Sequence, residues 1–321
     1  DGVYYGNIAQ WLKYANSLKL RMAMRLTEVK PELAQAKAAE AIAGGVITSN
    51  ADNAAMHAAE NRTTLIYNDW GDHRVGADIL CYMTGYNDPR VEKMFLPNDA
   101  GNYVGIRIGI DVAGKSTAMT KYSNLIVEST TPYLWFNAAE ATFLRAEYEL
   151  RWGSEETAQA LYEDAIRLSF EERGASGADA YIADAASRPA AYTDPLGNYS
   201  AAAQSTITIA WAPGADNFEE NLERIITQKW IAIFPLGVEA WSEHRRTGYP
   251  RLLPVVADKS GGGVDVAQGA RRLPYPVEEY QQNNTNLQAA IQTLNAEQKN
   301  GNRTGDQMGT RVWWDCKPYN N

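Results

Sequence analysis

Hydrophobic positions in this chain recur mostly at helical spacing, and the clearest case is a predicted helix hairpin over residues 131–174. Thr131 followed by Pro132 predicts the start, with a capping hydroxyl and a proline whose fixed φ suits a first turn. Trp135, Ala138, Ala139, Phe143, Ala146 and Leu150 form one stripe, and Gly153 ends it. Ser154 caps a second helix, with Glu155 and Glu156 at the positive end of its dipole. Ala158, Leu161, Tyr162, Ala165, Ile166 and Phe170 line its face until Gly174 stops it. So short a link makes the two helices antiparallel.

A similar pair comes earlier. Ile8, Leu12, Ala15, Met22, Ala23 and Leu26 share a stripe over residues 8–28, Pro31 restarts the chain, and an Ala-rich stretch runs to Ile42 before Gly44-Gly45. A third helical region starts at Asp216, where Glu219 completes a capping box; it breaks at Pro235 and resumes to about Arg246. A further helix is predicted over 75–84. The stretches 97–130, 175–215 and 248–320 are rich in Gly, Asn, Asp, Ser and Pro and read as long loops; 103–110 and 206–211 read as short strands. The segment ALYEDAIRLSF has the small-and-large alternation of a tetratricopeptide helix, although the two pairs lie too far apart for a tandem array. The chain is therefore mainly α, with a large face built from loops.

Composition narrows the function. Of 321 residues, 45% are hydrophobic and 21% charged, which suits a packed core. A net charge of −9 argues against nucleic acid, whose binding needs a basic patch, and no polybasic segment is available for an anionic membrane. Nine Trp and 18 Tyr against six Phe favour rings that carry a polar handle, which suits sugar stacking and peptide contacts. Cys81 and Cys316 are too few for a disulfide framework or a zinc site. No apolar run is long enough to span a bilayer. The chain begins at Asp1 without an initiator Met or signal peptide, and is expected to be a mature or trimmed fragment.

Three chemistries have candidate residues in the sequence. Residues 109–116, GIDVAGKS, fit the P-loop expression with Lys115 and Ser116 in the phosphate- and magnesium-binding places. Against it, Ile110 and Val112 sit where a tight anion nest is needed, the following STAMTKYSN is a poor helix, and no apolar strand ending in Asp follows. Glu239 and Glu243 share a helix face and could form a glycosidase pair, but beside Arg245 and Arg246 an ion-pair network is expected. His57, His73 and His244 have no metal-site spacing, and no cofactor is expected.

Several segments, in order along the chain, resemble the SusD/RagB-like family and most of all its second SusD-like subgroup. They are WLKYANSLKLRMAMR at 11–25, NDPRVEKMFLP at 87–97, YVGIRIGI at 103–110 and LWFNAAEATFLRAEYELRWG at 134–153 with its Ala139-Glu140 and Ala146-Glu147 pairs. The pattern continues in IITQKWIAIFPLGVEAWSEHRRTGYPRL at 225–252, RRLPYPVEEYQQNNTNLQAAI at 271–291 and TRVWWD at 310–315. The resemblance makes the P-loop match an ordinary family loop. It implies an α-α superhelix of tetratricopeptide-like helix pairs with long irregular loops and at most a few short strands. Residues 1–321 would form a single SusD-like domain, the larger C-terminal part of a lid whose N-terminal region, with its lipobox cysteine, is not in this sequence.

The implied role is a lipoprotein on the outward face of the outer membrane that captures glycans for a SusC-like TonB-dependent transporter and performs no chemistry. Membrane contact would come only through an N-terminal lipid anchor. Alternatives are a RagB-type peptide binder, an enzyme using Glu239 and Glu243 or Lys115, and a bare helical-repeat scaffold. Sugar capture needs flat aromatic faces beside planar hydrogen-bonding groups on loops held by a rigid frame. The run Tyr67-Asn68-Asp69-Trp70-Gly71-Asp72-His73-Arg74 has that chemistry. Trp70 is the candidate platform, Asn68, Asp72 and Arg74 its polar partners, with Tyr67, Tyr192 and Tyr199 as further candidates. The alternative is that Trp70 packs under the next helix and Asp72 caps it. Trp230, Trp241, Trp313 and Trp314 are expected to be structural, and Arg271 and Arg272 to fix the C-terminal chain by charge-assisted bonds.

Overall fold

The helices begin and end where local chemistry satisfies their free backbone groups. In the computed structural model, which describes residues 1–296 and 305–317, α1 (Ile8–Met24) starts as the Asn7 side chain accepts the Gln10 N–H. Pro31 opens α2 (Pro31–Ala43) and Gly44 closes it. Helices α3 (Ala77–Gly85), α4 (Val91–Met94) and α5 (Lys115–Lys121) follow, then the hairpin of α6 (Ala138–Trp152) and α7 (Glu155–Arg173). Ser154 caps α7 by accepting the Thr157 N–H, and Gly174 ends it in the left-handed region. The chain continues through α8 (Ala178–Ile182), α9 (Phe218–Ala232), α10 (Gly237–Thr247), α11 (Val277–Gln282) and α12 (Asn284–Asn295).

Helix α6 is the centre of the fold. Ala139, Phe143 and Ala146 on one side join a core with α3, α7 and α9, including Phe170, Ile225 and Ile226. Ala138, Ala141 and Leu144 on the other join a second core with α1 and α2, including Leu20, Met24 and Ala38. Alanines on both flanks let three helices approach one axis closely. The fold is mainly helical, as expected.

Five local expectations change in the folded chain. Residues 133–136 are not the first turn of α6. They form a strand, β4 (Tyr133–Phe136), antiparallel to β1 (Ala54–Met56). The helix is capped instead by Asn137, which accepts the Glu140 N–H at 2.9 Å, while Thr131 closes a turn with Glu128. The other strand pair is β2 (Phe95–Leu96) with β3 (Asn124–Leu125). Segment 206–211 has strand alternation, with Ile207, Ile209 and Trp211 all buried, but no strand partners it. Its carbonyls are satisfied by side chains: Tyr86 donates to Ile207 at 3.1 Å and Tyr162 to Ile209 at 2.7 Å. Segment 103–110 makes one bridge, Ile106 to Gly76. The STAMTKYSN run does form a helical segment, α5. Asp216 lies in a 3₁₀ turn and caps nothing by its side chain, and Glu219 accepts instead from Tyr249 at 2.8 Å and from Lys317.

Candidate functional site

The Trp70 turn is built on a single π-helical turn, Leu65–Asp69, closed by the Trp70 N–H donating to Leu65 O at 2.7 Å. Wide turns of this kind re-aim a side chain out of the helix. Trp70 is 56% exposed, so it does not pack beneath α3. Nor does Asp72 cap α3, whose N-cap is Gly76. Asp72 accepts from the Lys115 ammonium at 2.6 Å across to the start of α5, both groups being about half exposed. Gly71, at φ +64°, presses against Met119 so closely that a Cβ there would lie 3.0 Å from its Sδ.

The turn is laced to the frame from behind. Asn124 donates to Tyr67 O at 3.0 Å, and Asn68 donates to Val127 O at 3.1 Å. Tyr67 packs against the core and its ring lies 6.0 Å from that of His73. Arg74 donates to His73 O at 2.6 Å, its Nε is buried with no partner, and burial lowers its pKa. Asn68, Trp70 and Asp72 are all exposed on this braced loop. Tyr192 and Tyr199 are not brought to it. Tyr192 is buried, where it bridges Ala201. Tyr199 is half-buried and its carbonyl accepts from Arg107 at 2.7 Å. Their loop instead helps to wall a separate cleft, through Thr193 and Pro195. Met119 and Lys115 were not legible as neighbours of the turn, because they arrive on α5, 43 residues away in the case of Lys115.

The sites weighed for catalysis are committed elsewhere. Arg25 bridges Glu239 and Glu243, contacting the latter at 2.5 Å. Glu243 also holds Lys229 and, at 2.6 Å, Arg246. Arg246 in turn grips Glu147 at 2.6 and 2.7 Å, and Arg21 pairs with Glu140. Burial alone would raise the Glu243 carboxyl, but Arg246, Lys229 and Arg25 hold it well below the usual carboxylate range. The two Ala-Glu pairs of α6 are thus one end of a buried ion network that ties α1, α6, α9 and α10 together. In the nominal P-loop, Gly109 O accepts from Val256 and Ala257, Lys259 pairs with Asp111 at 2.5 Å, and Lys115 is engaged by Asp72. The Asp-Pro-Arg turn buries Arg90 completely. There it pairs with Asp88 and lies over the rings of Phe170 and Tyr181. Arg271 pairs with Asp315 at 2.7 Å and Arg272 with Asp306, fixing the C-terminal chain as expected. Trp314 lies under Arg25 and Arg245. Trp313, in contrast, is 53% exposed. Among the described residues, Cys81 and Cys316 form no disulfide, and no helix is long and apolar enough to cross a membrane.

A mainly helical frame thus carries the Trp70 turn, and a buried ion network ties its helices together. The sequence profile of the SusD-like family, described as Susd and RagB outer membrane lipoprotein, matches residues 1–315, and the chain belongs to this family. It is similar to the crystal structure of a SusD homolog from Bacteroides thetaiotaomicron, with 51% identity and a TM-score of 0.94, over 99% of this chain and 68% of that one. A SusD homolog from Bacteroides uniformis matches at 44% identity and a TM-score of 0.90, over 99% of this chain and 67% of that one. A chitin-binding SusD homolog from Flavobacterium johnsoniae matches at 40% identity and 0.91, over 98% of this chain and 65% of that one. The chain thus spans about two thirds of the length of each. No curated protein matches it.

Proposed function

We propose that this chain captures a glycan at the outer membrane surface and passes it to a SusC-like TonB-dependent transporter, without chemistry of its own. Trp70 is the stacking platform, Asn68, Asp72 and Arg74 are its polar partners, and Tyr67 supports the turn from behind. The observation that carries the reading is the 56% exposure of Trp70 on a loop anchored by the Asn124–Tyr67 O, Asn68–Val127 O and Lys115–Asp72 bonds. An exposed indole costs solvation unless a ligand uses it, and a flat face beside amide and carboxylate groups suits a sugar ring. The family's description as an outer membrane lipoprotein and the chitin-binding homolog support the same direction. Tyr199 stays a peripheral candidate, and Tyr192, being buried, is left out of the binding set.

The test is calorimetry against oligosaccharides from host and plant polysaccharides, with Trp70→Ala as the variant. Losing the platform should cost about 1–3 kcal/mol, by analogy with base–aromatic stacking, or roughly 5- to 150-fold in Kd. Unchanged affinity in a folded variant removes Trp70 from the site. Binding of oligopeptides alone replaces the glycan reading with a RagB-type peptide reading.

A further inference from the structure

We propose that the cleft at the far end of α5 is a second saccharide subsite, and that one oligosaccharide runs from Trp70 along α5 into it. This rests on the reading of Trp70 as a stacking platform. The cleft has a volume of about 910 Å³ and lies between the 98–104 turn, the end of α5 and the 193–195 loop. That is large enough for several sugar units, within the roughly 300–1,000 Å³ range of ligand pockets.

Its lining mixes apolar groups with polar side chains that are available to a ligand. Asp99, Asn102, Lys121 and Thr193 all border the cleft. Among the described residues their side chains make no hydrogen bond or ion pair with another protein group. Tyr103 lines the same space and also packs against the core, so an aromatic residue borders the cleft from a fixed body. One carboxylate and one ammonium leave the lining without net charge. A neutral polyol satisfies such a set of donors and acceptors, whereas a phosphate or a carboxylate ligand would meet Asp99.

Both walls are set before any ligand arrives. Asn98 accepts the N–H groups of Ala100 and Asn102 at 3.0 and 2.9 Å and donates to Lys121 O at 2.9 Å. Asp99 N–H donates to Thr120 O at 3.2 Å. On the opposite side the Asp194 carboxylate accepts from the N–H groups of Asn198 and Tyr199 and from the Tyr122 hydroxyl. Walls held this way lose little entropy on binding.

Helix α5 supplies the connection. Its first residue, Lys115, meets Asp72, and Met119 meets Gly71, while Thr120 and Lys121 border the cleft. From Lys115 to Lys121 the axis rises about 9 Å. A trisaccharide or longer covers that span and a monosaccharide does not.

The experiment is calorimetry with oligomer ladders derived from chitin, xylan and starch, on the whole chain, Trp70→Ala, and Asn102→Ala/Lys121→Ala. For the ladder that binds, affinity should rise about ten-fold or more between dimer and hexamer as the second contact becomes intramolecular. The cleft variant should weaken the hexamer by about five-fold or more and leave the dimer unchanged. Equal affinity for dimer and hexamer, or a cleft variant that binds the hexamer like the parent, overturns the subsite while the Trp70 reading stands. Loss in the cleft variant with none in Trp70→Ala overturns the platform and with it the continuous path. No binding by any ladder overturns both.

Discussion

Replacing Arg246 with Met tests whether the buried ion network holds the helices together. Arg246 is wholly buried. It donates to Glu147 at 2.6 and 2.7 Å, to Glu243 at 2.6 and 3.0 Å, and to Thr27 at 2.9 Å. Met matches much of its length but supplies no charge, so two buried carboxylates each lose a bidentate partner. Glu147 keeps only Arg151, at 2.8 Å, while Glu243 keeps Lys229 and Arg25. Breaking a buried pair from one side costs about 3–5 kcal/mol, because the remaining charge is desolvated without compensation. At about 2 °C per kcal/mol, the low end for a long chain, Tm should fall by about 6–10 °C. Differential scanning calorimetry at neutral pH measures it. Adding Glu147→Gln to Arg246→Met should cost less than the sum of the two single changes, by about 1 kcal/mol or more, since the stranded charge is then removed. A Tm drop under about 2 °C, or strict additivity, would refute the assignment of the network as the clamp between α6 and α10.

Acid should unfold the chain in two stages. His244 is lowered to about 4, by burial and then by Arg271, so its contribution is complete above its ordinary 6.5 and drains as pH falls from there to 4. Burial would raise Glu147, but Arg246 and Arg151 hold it at about 2, so its contribution is complete above 4.5 and drains between 4.5 and 2. Tm against pH should therefore decline from about 6.5 downward, and His244→Gln should flatten the first limb; an unchanged first limb refutes the His244 part. At Gly105 a Cβ would lie 2.3 Å from Gly76 O and 2.6 Å from Ala77 Cα. Gly105→Ala should destabilise by about 1–3 kcal/mol in urea melts, and a neutral result would mean that the 103–110 segment is not held against the start of α3.

Much of the frame was legible locally. Ser154, Gly153 and Gly174 mark the hairpin because caps and stops act within a few residues. The expected ion-pair fate of Glu239 and Glu243 was legible from the adjacent arginines, although the further partners Arg25 and Lys229 come from elsewhere in the chain. The candidate turn was visible as aromatic and amide residues in a loop-forming run. Its surroundings were not: Lys115 and Met119 reach Trp70's turn on the distant helix α5, and the Asn98–Asn102 turn reads only as a Gly/Asn/Asp signal until α5 carries it beside the cleft.

The sequence by itself determined the helical periodicity, the caps, the excess of Trp and Tyr and the acidic charge, because each is a property of a residue and its near neighbours. Only the tertiary structure decided that 133–136 pairs as a strand with 54–56 and that 206–211 is held by tyrosine hydroxyls instead of a ladder. It also decided that Trp70 faces solvent and Tyr192 does not. Exposure and long-range pairing depend on what arrives from elsewhere in the chain, and for short segments those partners outweigh local preference.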